Sequence, residues 1–535
     1  MKKNILYIWL LICTFSIISC SDFLEFEPYG QPNDLTNMTD GQAMQSVYSL
    51  FYWQYREGTM GRGFMWFENC SDNLITGRTQ AEAQNIKNFA DNGSNGRDVR
   101  DNWPQMYQTI RYANNLILSI PAANKLTPKV KDNVLGHAYF MRGFAYLWLA
   151  PWYGDNGPNG GIPIVTEKTI PVVTENTNLE EIDVPRPASV LDNYEMIIED
   201  LRKASELLPW FDELPKNEWG LMHKTAAWSL MARAALYAAQ FDAKYYDQVI
   251  EYTNLVIASK KHDLLPQYAD VFLMKNNWSK EYIMSVTSNE IDGSKFPGVI
   301  FQNGGFGLYT TWGYFQPTLE LYNAYEPGDK RLKATIAAPG DTIEFIGKEI
   351  VWAVNPSSVS SPSAMTFCKY LDPFKAADAV GKTVNPNSDN GTTDLNIPLM
   401  RYADVLLMKA EALIWKNGEG DATAKELIDD IRERAGLPRN SAATKAELKN
   451  ERRCEFALEF GVFRHLDLVR WGDAKEVYSK PLHGFKVTLE DEKISNLDII
   501  EVWPARSFDP SKHHVFPIPT REIAKGKNLK QNLGY

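Results

Sequence analysis

Helical periodicity in two blocks of the chain, separated by a middle part without it, limits the possible folds most strongly. Within residues 101–120, apolar side chains recur at three- and four-residue spacing, which predicts an amphipathic helix that ends before Pro121. A second helix is predicted from 128 to about 149, because Pro151 and the glycine-rich run 154–161 follow it. Three more helices are predicted in this block, at 189–208 with a capping-box variant at its start, at 223–240 and at 246–259.

The middle of the chain, residues 266–397, has no long helical pattern. It contains short β-prone pieces, such as 282–286 and 349–352, among many Gly, Pro, Ser and Asn residues. This composition predicts an irregular, loop-rich region laid on helices, and loops on a rigid scaffold commonly carry binding sites.

Helical patterns return in the last third of the chain. The last helix of this block is predicted to begin with a capping box, in which Thr444 and Glu447 bond each other's backbone, and to end at Gly472. The helices predicted here are 400–415, 421–435 and 444–471.

These patterns predict a mainly α protein. The helices come in pairs of the size found in tetratricopeptide-type hairpins, although no clean period of about 34 residues is present. We expect one domain, residues 20–535, with a helical scaffold over about 20–265 and 398–535 and the irregular region over about 266–397.

The N-terminus predicts export and lipidation. Lys2 and Lys3 precede an apolar stretch, residues 5–18, which is shorter than the roughly 20 residues that span a bilayer. The stretch ends with a small residue directly before Cys20, a pattern that resembles the lipobox of bacterial lipoproteins. We therefore expect residues 1–19 to be a signal peptide and Cys20 to carry the lipid, including palmitate. The acidic residues that follow resemble a surface-export signal: Asp22, Glu25 and Glu27.

Composition and motif searches exclude several classes of function. The formal net charge is -11, and an acidic surface repels phosphate backbones, so nucleic acid is not an expected partner. Cys70, Cys368 and Cys454 remain in the mature chain, without zinc-type spacing and with at most one disulfide among them. No hydrolase elbow, Walker loop or His-Glu-x-x-His motif is present. We expect no cofactor, and the sequence does not decide whether a structural calcium ion is bound.

Charged residues in the last third could suggest catalysis, but their spacing favours ion pairs. Arg464 and Asp467 lie three residues apart, so they can pair on one helical face. A glycosidase needs two carboxylates at a set separation, which a sequence does not give. A structural role within their helix, or with Arg452 and Arg453, is likewise expected for Arg401, Asp404 and Glu411.

Eight motifs occur in order along almost the whole mature chain. They are CSDFLE at 20–25, WPQMY at 103–107, AYFMRGFAY at 138–146, MRYADVLLMKAEA at 400–412, IRERAGLP at 431–438, ERR at 451–453, FRHLDLVRWG at 463–472 and QNLGY at 531–535. Together they resemble the SusD/RagB family of outer-membrane glycan-binding lipoproteins. The middle third of the chain matches the family least.

The resemblance implies a fold and a function. It implies four tetratricopeptide-like helix pairs with an added irregular region, and a lipoprotein that faces the cell exterior on the outer membrane. It also implies that the protein forms a lid on a SusC-like TonB-dependent transporter and captures oligosaccharide without cleaving it.

Two aromatic-rich stretches meet the physical demand of sugar binding. One face of a sugar ring is apolar and stacks on an aromatic ring, while the hydroxyls need polar side chains nearby. The stretches are 64–78 and 306–314, and the family's sugar contacts commonly come from loops in these two zones. The predicted carbohydrate-binding residues are Trp66, Asn69, Asp72, Asn73, Arg78, Tyr309, Trp312 and Tyr314. Trp103, within the first helical pattern, is expected in the core.

Three other functions remain open at this point. The same architecture could capture peptides, since an acidic chain favours basic ones. The chain could be a surface glycosidase, or it could act only as a lid on the transporter.

Overall fold

A computed structural model describes most of the chain. The described residues are 37–60, 67–77, 81–90, 101–169, 184–288, 315–345, 347–354, 361–372, 375 and 394–535. Among their helices, none combines the length and the apolar character that crossing a membrane requires.

The protein is mainly α-helical, as the sequence predicts. The helices of the first block are α1 (Asp40–Ser49), α2 (Glu57–Met60), α3 (Ala81–Lys87), α4 (Asn102–Ser119), α5 (Pro128–Tyr153), α6 (Val190–Leu207), α7 (Lys224–Ala238) and α8 (Tyr245–Ser259). The later helices are α9 (Leu319–Tyr322), α10 (Lys330–Thr335), α11 (Tyr402–Asn417), α12 (Ala422–Arg434), α13 (Lys445–Phe456), α14 (Arg464–Trp471), α15 (Ala474–Tyr478) and α16 (Thr520–Lys525).

Local sequence explains where these helices begin. Ser189 accepts a hydrogen bond from the backbone at the start of α6, and its reciprocal partner is Asp192, so the capping-box variant forms as predicted. The Thr444 capping box at α13 also forms. At α12, the Asp421 side chain accepts from the backbone N–H of Ala424 over 2.9 Å.

The long helices pack one against the next in a continuous layer. The order is α4, α5, α6, α7, α8, α11 and α12, so the irregular region is inserted between α8 and α11. Small residues allow the close approach of α5 and α6, because a Cβ at Gly143 would lie 3.0 Å from the side chain of Leu201. Trp103 is 4 % exposed and lies in the core, which confirms its predicted position.

Two helix boundaries differ from the predictions. Helix α5 continues through Pro151 to Tyr153, because the aromatic side chains of the last turn are buried and their packing outweighs one lost backbone hydrogen bond. The predicted helix 444–471 is two helices, α13 and α14, with a break that includes Gly461 at φ +85°. A Cβ at Gly461 would lie 2.4 Å from the Leu399 carbonyl oxygen, so tertiary packing fixes the break.

The irregular region forms short antiparallel pairs. The strands are β1 (Leu74–Thr76), β2 (Tyr282–Val286), β3 (Phe315–Pro317), β4 (Ile336–Ala337), β5 (Thr342–Phe345), β6 (Lys348–Val351), β7 (Thr366–Phe367), β8 (Ile397–Arg401), β9 (Leu482–Glu490) and β10 (Lys493–Trp503). Within the described residues they form two-stranded sheets, β1–β3, β2–β8, β4–β7, β5–β6 and β9–β10. The β2–β8 pair connects the irregular region directly to the start of α11.

The β9–β10 hairpin lies in the last third, where the sequence predicts only helices and an extended tail. Its turn residues Asp491 and Glu492 have φ of 49° and 58°. A two-residue turn with both φ positive is usually marked by Asn-Gly or Asp-Gly, and this turn, Asp491-Glu492, lacks that signal. The sequence therefore does not predict this hairpin.

A buried network of ion pairs joins the irregular region to the last helices. Arg401, at the end of β8, is 2 % exposed and pairs with Glu281, Glu455 and Glu459. Its Nε lies 2.6 Å from Glu459 and its Nη2 lies 3.0 Å from Glu455. Arg331 of α10 reaches Glu455 from the other side, at 3.2 Å. Burial opposes ionisation of Glu455, but the surrounding arginines outweigh burial and lower its pKa to about 2.

The structure assigns ion-pairing roles to the charged residues singled out in the sequence, and the expected partner Arg452 is among those found. Asp404 pairs with Arg233 at 2.6 Å and with Arg452 at 2.9 Å. Asp467 pairs with Arg452 and Arg470, and not with Arg464. The pairing of Arg464 with Asp467 was therefore a wrong prediction, because Arg464 instead reaches the N-terminal segment.

Removing Arg401 should strongly destabilise the protein. In Arg401→Met, buried glutamates lose their main counter-charge, so the free energy of unfolding should fall by about 3–5 kcal/mol. Urea unfolding followed by circular dichroism measures this change. The control Arg439→Met removes surface ion pairs and should cost within about 1 kcal/mol. Equal effects of the two substitutions would contradict the role of the buried network.

Candidate ligand-binding site

The β1–β3 pair joins two segments that border the aromatic-rich stretches in the sequence. The strands are antiparallel, with Leu74 opposite Pro317 and Thr76 opposite Phe315. Arg78 follows Thr76 by two positions, and Tyr314 directly precedes Phe315. The stretch 64–78 and the stretch 306–314 are therefore attached to paired strands, although they lie far apart in the sequence.

The chain segments that flank this ladder are held by buried hydrogen bonds. The Thr318 hydroxyl donates to the backbone carbonyl of Asp72 over 2.7 Å, and the Thr318 N–H donates to that of Asn73 over 3.1 Å. On the other side, the Ser361 hydroxyl donates to the Gln316 side chain over 2.8 Å. The end of the ladder is thus fixed by side chains as well as by strand pairing.

Two arginines of the last helices bind the N-terminal segment below the ladder. Arg453 Nη2 lies 2.8 Å from one Asp72 oxygen, and Arg464 Nε lies 3.0 Å from the other. Arg453 Nε also donates to the Asn73 side-chain oxygen over 2.8 Å. Burial opposes ionisation of Asp72, but these arginines outweigh burial and hold its pKa well below the usual range. The segment is therefore anchored by charge-assisted bonds.

Two further buried ionisable groups lie in the same layer. Glu68 accepts from the backbone N–H of Arg464 over 2.9 Å, and burial raises its pKa to about 8. The Lys87 amine donates to the carbonyls of Ser71 and Leu74 over 2.6 and 2.5 Å, and burial lowers its pKa well below the usual value. Both groups favour their uncharged forms, which suits a closed interior.

Three of the sequence-predicted binding residues belong to this buried layer. Asn69, Asp72 and Asn73 are 0 %, 5 % and 2 % exposed. The Asn69 amide donates to the Ala83 carbonyl over 2.8 Å, and the other two side chains bind the arginines described above. We correct their role from sugar contact to positioning, because all three side chains are buried and each binds another part of the protein. Phe67, of the same stretch, packs on Trp152 in the core.

The remaining predicted site residues fall outside the described part of the chain. They are Cys20, Trp66, Arg78, Tyr309, Trp312 and Tyr314. Their roles stay predictions. Cys70, Cys368 and Cys454 are free thiols in the structure.

The sequence did not reveal Arg453, Arg464 and Thr318 as the residues that hold the site's base. All three lie in the chain far from the acidic and amide side chains that they bind. In the sequence, Arg453 and Arg464 belong to family motifs and Thr318 belongs to the loop-rich middle. Neither property shows which residue each of them binds. In the described part of the chain, no group of three or more His, Cys, Asp or Glu residues is arranged to hold a metal ion.

Two family models match consecutive parts of the chain. The model described as the SusD family matches residues 258–535, which is just over half of the chain. The model described as "Starch-binding associating with outer membrane" matches residues 22–236.

Characterised relatives match over most or part of their length. SusD-like protein P25 from Formosa agariphila is 24% identical over 512 residues, which cover 88% of this chain and 90% of that protein. Starch-binding protein SusD from Bacteroides thetaiotaomicron is 26% identical over 364 residues, which cover 59% of this chain and 61% of that protein.

Solved structures share the fold. A SusD-like protein from Bacteroides fragilis superposes with a TM-score of 0.76 at 23% identity, covering 94% of this chain and 99% of that one. A laminarin-binding SusD-like protein gives a TM-score of 0.68 at 20% identity, covering 93% and 99%. These similarities confirm the predicted helical, tetratricopeptide-like fold.

The raised pKa of the buried Glu68 should be visible in how the free energy of unfolding depends on pH. Its pKa is raised from 4.5 to about 8, so between these values the folded protein holds a proton that the unfolded chain releases. Folding stability therefore falls as pH rises through this window, by up to about 1.4 kcal/mol per pH unit from this group. Glu68→Gln should remove this loss, and urea unfolding from pH 5 to 8 measures it.

The exposed Glu349 offers a matched control for Glu68. Glu349→Gln should follow the wild-type pH curve. A Glu68→Gln curve that stays parallel to the wild-type curve over the window would contradict the assignment of the raised pKa.

Proposed function

Because the chain belongs to the SusD family, we propose that it captures oligosaccharide at the outer membrane, without cleaving it, and delivers it to a SusC-like TonB-dependent transporter. The observation that supports a defined binding site is the β1–β3 ladder, which joins the attachment points of two aromatic-rich stretches. The relatives named for starch and laminarin binding support a glycan as the ligand class.

The proposed contacts come from the stretches on either side of the ladder. Trp66, Tyr309, Trp312 and Tyr314 supply rings for the apolar face of a sugar, and Arg78 supplies donors for its hydroxyls. The buried layer of Asp72 and its arginines fixes the base of the β1–β3 ladder, to whose strands both stretches are connected in the sequence. A fixed base lowers the entropic cost of ordering loops on a ligand.

Capture without hydrolysis fits the state of the buried carboxylates in the last helices. Hydrolysis of a glycosidic bond needs one carboxylic acid and one carboxylate that both reach the bond. Asp404, Glu411 and Asp467 are each buried and paired with arginines, so they are not available to a sugar.

The membrane and the transporter complete the proposed role. We infer that Cys20 carries the lipid after removal of residues 1–19, and that residues 20–535 form one domain facing the cell exterior. Support for one domain comes from the largest hydrophobic core, which includes Val47 of α1, Trp352 of the irregular region and Ile518 near the C-terminus.

Replacing a proposed stacking residue should weaken glycan binding. The protein lacking residues 1–20 is screened on a glycan array, and the best ligand is titrated by calorimetry. Trp312→Ala should lower its affinity about tenfold, because stacking contributes about 1 kcal/mol or slightly more per ring. Trp415→Ala serves as the control, since Trp415 is half-buried on α11 beside Lys445, in the other part of the scaffold.

Three experimental outcomes would contradict the proposal. Binding of peptides with no binding of any glycan would favour a peptide-capture protein. Release of reducing ends during long incubation would indicate a glycosidase. Unchanged glycan uptake by cells carrying Trp312→Ala would favour a lid without a ligand site of its own.

Lipid anchoring can be tested separately. Cys20→Ser removes the thiol that accepts the acyl chains, so labelled palmitate should no longer be incorporated and the protein should leave the detergent phase in a phase-partition assay. Equal palmitate incorporation by the variant and the wild type would contradict lipidation at this residue.

A further inference from the structure

Five half-buried aromatic residues form one cluster away from the β1–β3 ladder. They are Trp210, Phe211, Trp219, Trp228 and Trp278. They come from three parts of the chain: the connection between α6 and α7, helix α7 itself, and the turn before β2. We refer to the part formed by Phe211, Trp219 and Trp278 as the tryptophan patch.

The rings of the tryptophan patch contact one another. The centroid of Phe211 lies 5.6 Å from that of Trp219 and 6.4 Å from that of Trp278, with an angle of 24° between the planes of the second pair. Trp219 and Trp278 are 6.5 Å apart at 64°. Beside the patch, Trp210 packs edge-on against Trp228 at 5.7 Å. Rings that lock one another in this way form a rigid platform that is only partly covered.

The backbone is strained where it displays one of these rings. Trp278 has φ +65°, in the left-handed region that a bulky side chain rarely adopts. Its neighbour Asn277 holds the turn, since its amide donates to the Asp394 carbonyl over 2.6 Å and its oxygen accepts from the Asn396 N–H over 3.0 Å. Strain that persists under such restraint occurs preferentially at functional positions.

A glycine brings the other side of the patch into place. A Cβ at Gly220 would lie 2.6 Å from the Thr287 side chain, so only glycine lets this loop lie so close to the end of β2. That approach sets Trp219 against Trp278. The positive φ of Trp278 and the close approach at Gly220 thus both position the rings of the patch.

The patch lines a narrow cleft that contains an unsatisfied hydroxyl. Phe211, Trp219, Trp278 and Ser285 of β2 all line this cleft. Ser285 is 4 % exposed, and its hydroxyl has no hydrogen-bond partner among the described residues. Buried polar groups are nearly always bonded, so an unpaired hydroxyl beside an open cleft indicates a ligand or water that carries polar atoms.

Polar groups lie beside Trp210, the ring next to the patch in the sequence, and in the loop that carries Trp219. The ammonium groups of Lys224 and Lys261 lie 5.4 and 5.5 Å from the Trp210 ring, and Lys261 pairs with Asp212 at 2.6 Å. Exposed Asn217 and Lys216 follow in the same loop. Aromatic faces rimmed by donors and acceptors match a sugar ring, which has an apolar face and hydroxyls at its edge.

We propose that the tryptophan patch is a second carbohydrate-binding site, which stacks on one or two sugar rings of the same polymer that the first site captures. This inference rests on the proposed function and adds a second point of attachment. Two sites on one rigid protein convert the second binding event into an intramolecular one, so a polysaccharide is held more tightly than a short oligosaccharide.

The variant that tests the patch is Trp278→Gly. Glycine adopts φ +65° without strain, so the substitution removes the ring and retains the turn. A second variant, Ser285→Ala, removes only the unpaired hydroxyl. Trp415→Ala again serves as the control, because Trp415 lies outside both sites.

The probes are hexasaccharides from starch, laminarin, xylan and mannan, titrated by calorimetry, and the parent polysaccharides in affinity electrophoresis. We expect the wild type to bind two hexasaccharides per chain and Trp278→Gly to bind one, with about tenfold weaker retention by the polysaccharide. Ser285→Ala should weaken the second binding event about threefold, and Trp415→Ala should bind as the wild type does.

The outcomes separate this inference from the proposed function. One hexasaccharide per wild-type chain, with unchanged binding by Trp278→Gly, overturns the second site and leaves the first site intact. A wild type that binds none of the probes or an extended glycan array overturns both. If Trp278→Gly binds sugar normally but no longer co-purifies with the transporter, the patch is a protein contact and the inference is wrong.

Discussion

The rest of the structure depends on a guanidinium that is sealed from water. Arg401 ends β8, directly before α11, and pairs with Glu281 ahead of β2, with Glu455 in the last turn of α13 and with Glu459 in the break that follows α13. A buried charge is tolerated only when every partner stands at bonding distance. The network therefore favours the observed position of β2 and β8 on the helical scaffold.

Buried pairs of arginine and carboxylate also hold the candidate site. Helix α13 carries Glu455 toward the Arg401 network and Arg453 toward Asp72, while Arg464 at the start of α14 reaches Asp72 from the other side. The break between these helices is thus part of the site's construction. It lets two arginines from neighbouring helices meet one carboxylate below the β1–β3 ladder.

Charge and aromatic surface serve different ends in this protein. Most buried carboxylates near the site are bound by arginine or carry raised pKa values, as Glu68 does, so they fix geometry. Partly covered rings, as in the tryptophan patch, offer apolar faces with polar neighbours. A frame held by charge that presents aromatic surfaces suits the reversible capture proposed for this member of the SusD family, because binding then requires little reordering.

The sequence by itself determined most of the long helices, several of their caps and the two aromatic-rich stretches. Periodicity and caps are local properties, so the starts of α6 and α13 could be read directly from Ser189 and Thr444. Tertiary structure alone decided which charges pair, where the last long helix breaks, and that Asp72 faces inward. It also decided that rings from three segments form the tryptophan patch. Each of these depends on contacts between residues far apart in the chain, which no local pattern records.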